Sequence, residues 1–99
     1  MRYKDPSKIL SPKDAVDSLN VIYDGGVNSV SIAKINWCGK AVIGMRWNVG
    51  MREWNDSLKK KGKECVGVPS SRGHSTWFII PDEFLEKKSK IWQAFDENN

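Results

Sequence analysis

The sequence predicts an α+β domain: an antiparallel sheet of about five strands, a short N-terminal helix, and a longer C-terminal helix packed on one face. Three observations predict it. A helix-start signal at Ser11-Pro12-Lys13-Asp14 precedes several runs of β-branched and aromatic residues separated by turn residues. No helical segment long enough for a crossover lies between those runs, so the strands pair antiparallel. Helical spacing returns after Pro81.

Taken in order, Ser11 offers a cap, Pro12 the first helical position and Asp14 an acid in the first turn, with Ala15, Val16 and Leu19 giving the helix one apolar side over about two turns. Val21-Ile22-Tyr23 favours extended chain, and Asp24-Gly25-Gly26 marks a tight turn. From Ser29 to Trp37 the apolar alternation changes phase, with Val30 and Ile32 on one face and Ala33, Ile35 and Trp37 on the other, which predicts a bulge or a strand buried on both faces. Cys38-Gly39 is a hairpin turn. In the clearest strand, Ala41 to Asn48, the residues Ala41, Ile43, Met45 and Trp47 point one way, and Val42, Gly44, Arg46 and Asn48 form the face expected to be more exposed.

Residues 49–62 have the composition of a long, mobile connection containing Trp54. Lys63 to Val68 reads as a short strand ended by Pro69, and Ser75 to Ile80 as a core strand. After Pro81, the acids Asp82 and Glu83 suit a first helical turn, and Phe84, Leu85, Ile91, Trp92 and Phe95 recur at helical spacing. The 99 residues form one domain, 1–99, with residues 1–10 and 96–99 expected to be flexible. No apolar run reaches the ~18–20 residues that span a bilayer, and Met1-Arg2-Tyr3-Lys4 opens no apolar leader, so a cytoplasmic address with no membrane partner is expected.

The net charge of +4 hides an asymmetry. Residues 34–63 carry Lys34, Lys40, Arg46, Arg52, Lys59, Lys60, Lys61 and Lys63 against Glu53 and Asp56, a net +6, while the flanking segments are neutral or slightly acidic. A polyanion would meet this middle part. Cations interleaved with Trp37, Trp47 and Trp54 are the pattern by which sheets hold single-stranded nucleic acid, bases stacking while phosphates pair. The residues expected to bind are Lys40, Arg46, Trp47, Arg52, Trp54, Lys59, Lys60, Lys61 and Lys63. The plainer reading makes the tryptophans core and the lysines a solvated surface, since Trp37 and Trp47 share faces with Ile35 and Ile43.

A second candidate is the loop Ser70-Ser71-Arg72-Gly73-His74, where a guanidinium, hydroxyls and backbone amides could hold an anion. Its plainer reading is a turn in which Arg72 pairs with Glu64 or Glu83. No hydrolytic triad motif or phosphate-cradling glycine spacing is present, so no catalytic residue and no cofactor are assigned. Cys38 and Cys65 lack partners at metal-ligand spacing, so no metal is expected, and both read as small buried apolar residues.

Two resemblances follow from particular stretches. Tyr23-Asp24-Gly25-Gly26, Gly44-Met45-Arg46-Trp47-Asn48, Pro69-Ser70-Ser71-Arg72-Gly73 and Thr76-Trp77-Phe78-Ile79-Ile80-Pro81-Asp82-Glu83 resemble small uncharacterised bacterial proteins of similar length, which implies a bacterial or mobile-element origin and no particular activity. Residues 29–95 are also similar, in order of elements, to the positive-cofactor-four family of single-stranded-DNA-binding transcription coactivators, through Gly39 to Arg46, the basic connection Lys59 to Lys63, and a last strand running into Pro81 to Lys88. That resemblance implies phosphate contacts at Lys40, Arg46 and the Lys59 to Lys63 cluster, and base stacking on Trp47 or Trp54. It also implies a homodimer formed through Ile91, Trp92 and Phe95. The expected function is a nucleic-acid-binding or regulatory protein; the alternatives are a protein-interaction module, its partner acidic, and an enzyme using His74 and Arg72.

Overall fold

The computed structural model describes residues 1–86. The helix signal at Pro12 yields one turn only: the N–H groups of Ala15 and Val16 both donate to the Pro12 carbonyl, at 3.1 and 3.0 Å. The chain then extends into β1 (Val16–Asp24) in place of the predicted helix. A two-turn helix is marginal alone, whereas Val16, Val21, Ile22 and Tyr23 favour extended chain and find a neighbouring strand to pair with.

β1 runs antiparallel to β2 (Val30–Trp37), which runs antiparallel to β3 (Lys40–Trp47). The β2–β3 turn is the expected Cys38-Gly39 pair, with φ of 51° and 82°, the signs that a type I′ hairpin turn requires. Cys38 is therefore exposed at a hairpin tip and is not the core residue expected; Cys65 is buried. The bulges lie on β1, between Val16 and Ser18 and between Val21 and Tyr23. β2 itself is regular, with Ser31, Ala33 and Ile35 buried and Val30 and Ile32 half-buried on its other face.

The β1–β2 connection contains a tight turn, in which the Ser29 N–H donates to the Gly26 carbonyl at 3.2 Å and Gly26 has a φ of 89°, and side chains tie it down. Asp24 Oδ1 accepts from the Tyr3 hydroxyl at 2.6 Å and the Gly26 N–H at 3.2 Å, while buried Asn48 donates to the Gly26 carbonyl at 2.9 Å and accepts from Ser31 Oγ at 2.7 Å. Accepting from Tyr3 stabilises its protonated form, and the phenol is pushed up to about 12.

β6 (Phe78–Ile80) pairs with β3, giving a four-stranded sheet in the order β1-β2-β3-β6. β4 (Ser70–Ser71) and β5 (His74–Ser75) form a separate hairpin, so the expected Ser75 to Ile80 strand is split. Lys63 to Val68 is no strand; it makes two isolated bridges, Cys65 to Tyr3 and Val68 to Trp47. The core lies on the inner sheet face, where Val16, Ala33, Ile35 and Trp77 pack with Ile9. Trp77 Nε1 donates to the Ile9 carbonyl at 2.8 Å, so the indole brings both apolar area and a satisfied polar end. The N-terminal segment packs onto the rest of the chain, with Pro6 and Ile9 buried and Cys65 donating its N–H to the Arg2 carbonyl at 2.9 Å.

A C-terminal helix starts where expected, yet α2 (Asp82–Leu85) is a single turn and Glu86 is extended, so the described chain holds no long C-terminal helix over the sheet. Ile91, Trp92, Phe95 and the tail 96–99 lie outside the described residues. Among those described, no helix is long and apolar enough to cross a membrane.

Candidate functional site

The alternation read in β3 is correct and its orientation is inverted. Gly44, Arg46 and Asn48 are buried, while Ala41 and Trp47 are exposed and Ile43 and Met45 half-buried. Two local facts force this. Gly44 has no side chain, and a Cβ there would run into Ile35 and lie against Trp77, so the core fills the space it leaves. Arg46, 3% exposed, turns inward because its guanidinium finds three carbonyls, those of Val66, Thr76 and Pro69, the last at 3.3 Å. Burial pulls this guanidinium down to about 10, partly countered by the Glu53 carboxylate. Arg46 thus holds the 66–76 segment against the sheet and offers no surface to a ligand.

The opposite, outer face collects aromatic side chains. Tyr23 stands opposite Ile32, Ile32 opposite Met45, and Met45 opposite Phe78, a transverse row that crosses all four strands. Beside it Val30 faces Trp47, and Trp47 bridges to Val68. Tyr23 is 51% exposed, Trp47 53% and Phe78 57%. Lys34, opposite Ile43, adds an exposed cation on the same face.

At the Trp47 end this face meets the segment 49–69, which is built rather than loose. It contains a 3-10 helix (Met51–Asn55) and a one-turn α1 (Ser57–Lys60), the latter capped by Asp56, which accepts from the Leu58 N–H at 2.9 Å. Glu53 ties it together. Its carboxylate accepts from the N–H groups of Gly50 (2.8 Å), Val66 (2.8 Å) and Gly67 (2.7 Å) and pairs with Lys59 Nζ at 3.2 Å. Burial alone would push this carboxyl up, but the three N–H donors and Lys59 outweigh it and hold it below the usual carboxylate range.

The lysine run therefore splits by role. Lys59 is buried between Glu53 and the Glu64 carbonyl, to which it donates at 2.7 Å, whereas Lys60, Lys61 and Lys63 are exposed. Lys40 pairs with Asp82 at 3.5 Å at the far end of β3. Of the exposed cations expected to bind, Arg52, Lys60, Lys61 and Lys63 stand free of ion pairs among the described residues.

Trp47, Val49, Gly50, Met51, Trp54 and Val68 line a groove of about 430 Å³. Next to it, sharing Gly50, Met51 and Val68, lies a depression of about 420 Å³ that reaches Arg52, Ser70 and Gly73. Trp47, Arg52 and Trp54 of the first sequence candidate thus adjoin Ser70 and Gly73 of the second. The loop Ser70 to His74 is a tight hairpin whose turn residues Arg72 and Gly73 have φ of 51° and 80°. Glu64, one acid expected to neutralise Arg72, pairs instead with Arg2 at 3.2 Å. His74 and Ser71 are exposed on the same hairpin, and among the described residues no group of three His, Cys, Asp or Glu side chains is placed to hold a metal ion.

Tyr23, Met51, Val68 and Phe78 are not among the binding residues the sequence predicts. Phe78 was the most findable, since adjacent strand residues face opposite ways and a buried Trp77 puts Phe78 outside. Comparison with known proteins adds no likeness: no family model, curated protein or solved structure matches this chain.

Proposed function

We propose that this protein is a non-catalytic binder of single-stranded nucleic acid and that the strand lies across the outer face of the sheet. The observation that carries this reading is the placement of Tyr23, Trp47 and Phe78, exposed aromatics from three of the four strands, on one face. Stacking needs only a flat ring within reach, and each stacked base contributes ~1–3 kcal/mol. Lys34, Arg52, Lys60, Lys61 and Lys63 supply the phosphate contacts; Arg46 and Lys59 are buried, and Lys40 stands at the far end of β3 beside Asp82. A cytoplasmic address goes with this reading.

The apolar lining of the groove supports a second reading, in which the same face captures an apolar side chain of an acidic protein partner. Titration of tryptophan fluorescence with a short single strand, its duplex and heparin separates the two. Binding should quench Trp47 and Trp54, favour the single strand over heparin, and weaken by about two decades between ~50 and ~200 mM salt for about five phosphate contacts. No response to the single strand at low salt would overturn the nucleic-acid reading.

A further inference from the structure

We propose, resting on the single-strand reading above, that the groove between Trp47, Met51, Trp54 and Val68 takes one unstacked base. The adjoining depression with Arg52, Ser70 and Gly73 then takes the neighbouring phosphate. The groove's volume of about 430 Å³ lies toward the small end of the ~300–1,000 Å³ typical of small-ligand sites, which suits one ring system rather than a run of stacked bases. Its lining is apolar, and among its backbone groups the Gly50 N–H is paired with Glu53, and Trp47 and Val68 are paired with each other at 2.7 and 3.1 Å. A base is therefore held by its faces and not read at its edge. Preference follows ring area, purine over pyrimidine.

The depression completes a nucleotide unit by charge. Glu53, its one lining carboxylate, is already covered by Lys59 and three N–H groups, so an incoming phosphate meets Arg52 and the hairpin rather than a bare anion. Exposed Lys60, Lys61 and Lys63 lie at the end of α1 and just beyond it, after the groove's 3-10 helix and within the segment of net +6. This charge complementarity suits a polyanion that carries flat apolar groups.

The test is titration of the full chain with dye-labelled oligodeoxyadenylate and oligothymidylate of equal length, for the wild type, Met51→Glu, Trp54→Ala and Tyr23→Ala. Loss of one held base should weaken adenylate binding ~5- to 150-fold in both groove variants and abolish the purine preference, while Tyr23→Ala keeps that preference. Met51 is 86% exposed, so Met51→Glu remains folded and informative even if Trp54→Ala does not. Wild-type binding with no loss in Met51→Glu overturns the base pocket and leaves the sheet reading standing. Failure of both oligonucleotides to bind the wild type, with capture of an acidic peptide bearing an apolar anchor, overturns both.

Discussion

The Arg46 guanidinium donates to the Val66 carbonyl, and the next residue, Gly67, has a φ of 74° and no room for a Cβ, which would collide with that guanidinium and with the Trp47 carbonyl. The closeness of the 66–67 backbone to β3 thus depends on two residues at once. Arg46→Met should destabilise the fold by roughly 2–4 kcal/mol, because the Thr76 carbonyl loses its donor inside the protein and those of Val66 and Pro69 keep only the Ser75 hydroxyl and the Thr76 N–H. Arg46→Lys should rescue little of this, since one ammonium cannot reproduce the guanidinium fork. Urea unfolding measures both; a loss under about 1 kcal/mol for Arg46→Met would contradict the buried role.

Glu53 makes stability sensitive to acid. Its folded carboxyl lies below the unfolded value, so the stabilisation is fully present above the unfolded pKa, about 4.3, and is lost as pH falls through the folded one. Glu53→Gln keeps the side-chain volume and loses the charge that Lys59 and three N–H groups converge on. It should lower stability near neutrality by about 1–3 kcal/mol and flatten the acid limb of a stability–pH profile. Parallel acid limbs for the two proteins would show that another carboxylate sets the limb.

Adjacent lysines should separate stability from binding. Lys59→Met leaves the Glu53 carboxylate half-buried without its cation and should lower the unfolding free energy in urea, whereas Lys60→Met, at an exposed position, should leave that free energy within about 0.5 kcal/mol of wild type. Binding to a single strand should behave the other way. Replacing Lys60, Lys61 and Lys63 together by glutamate should weaken affinity and reduce the salt slope by about two units, at ~0.7 per contact. An unchanged slope would remove these lysines from the interface.

How much of this was legible in the sequence depends on where the deciding partner sits. The Cys38-Gly39 turn and the alternation over residues 41–48 are local, and both were readable. Which set of β3 side chains faces the core was not, because Ala41, Ile43, Met45 and Trp47 are the more apolar set by composition. The choice is made by carbonyls of residues 66–76 that satisfy Arg46, and by Ser31 and Gly26, which satisfy Asn48. Trp54 was readable as a loop tryptophan, but Met51 and Val68 join it through the hydrogen bonds of Glu53, which leave no periodic trace. The helix signal at Ser11 to Asp14 failed for the converse reason: a correct local turn was overruled by pairing with a strand more than a dozen residues away.

Trp77 and Phe78 put the inward and outward faces to the sharpest test, since they are neighbours of similar chemistry. Trp77 is 5% exposed, packs in the core and donates to the Ile9 carbonyl, so Trp77→Ala should cost about 3–5 kcal/mol by cavity formation and leave that carbonyl without its partner. Phe78 loses only its cross-strand contact with Met45 and part of an exposed ring, so Phe78→Ala should cost no more than about 1 kcal/mol. Their effects on single-strand affinity should reverse in order: Phe78→Ala removes a stacking surface from a folded protein, and Trp77→Ala, measured at a temperature where it remains folded, removes none. Equal destabilisation by the two would mean that the outer face is packed rather than open, and the binding surface would then have to be sought in the groove beside Trp54 alone.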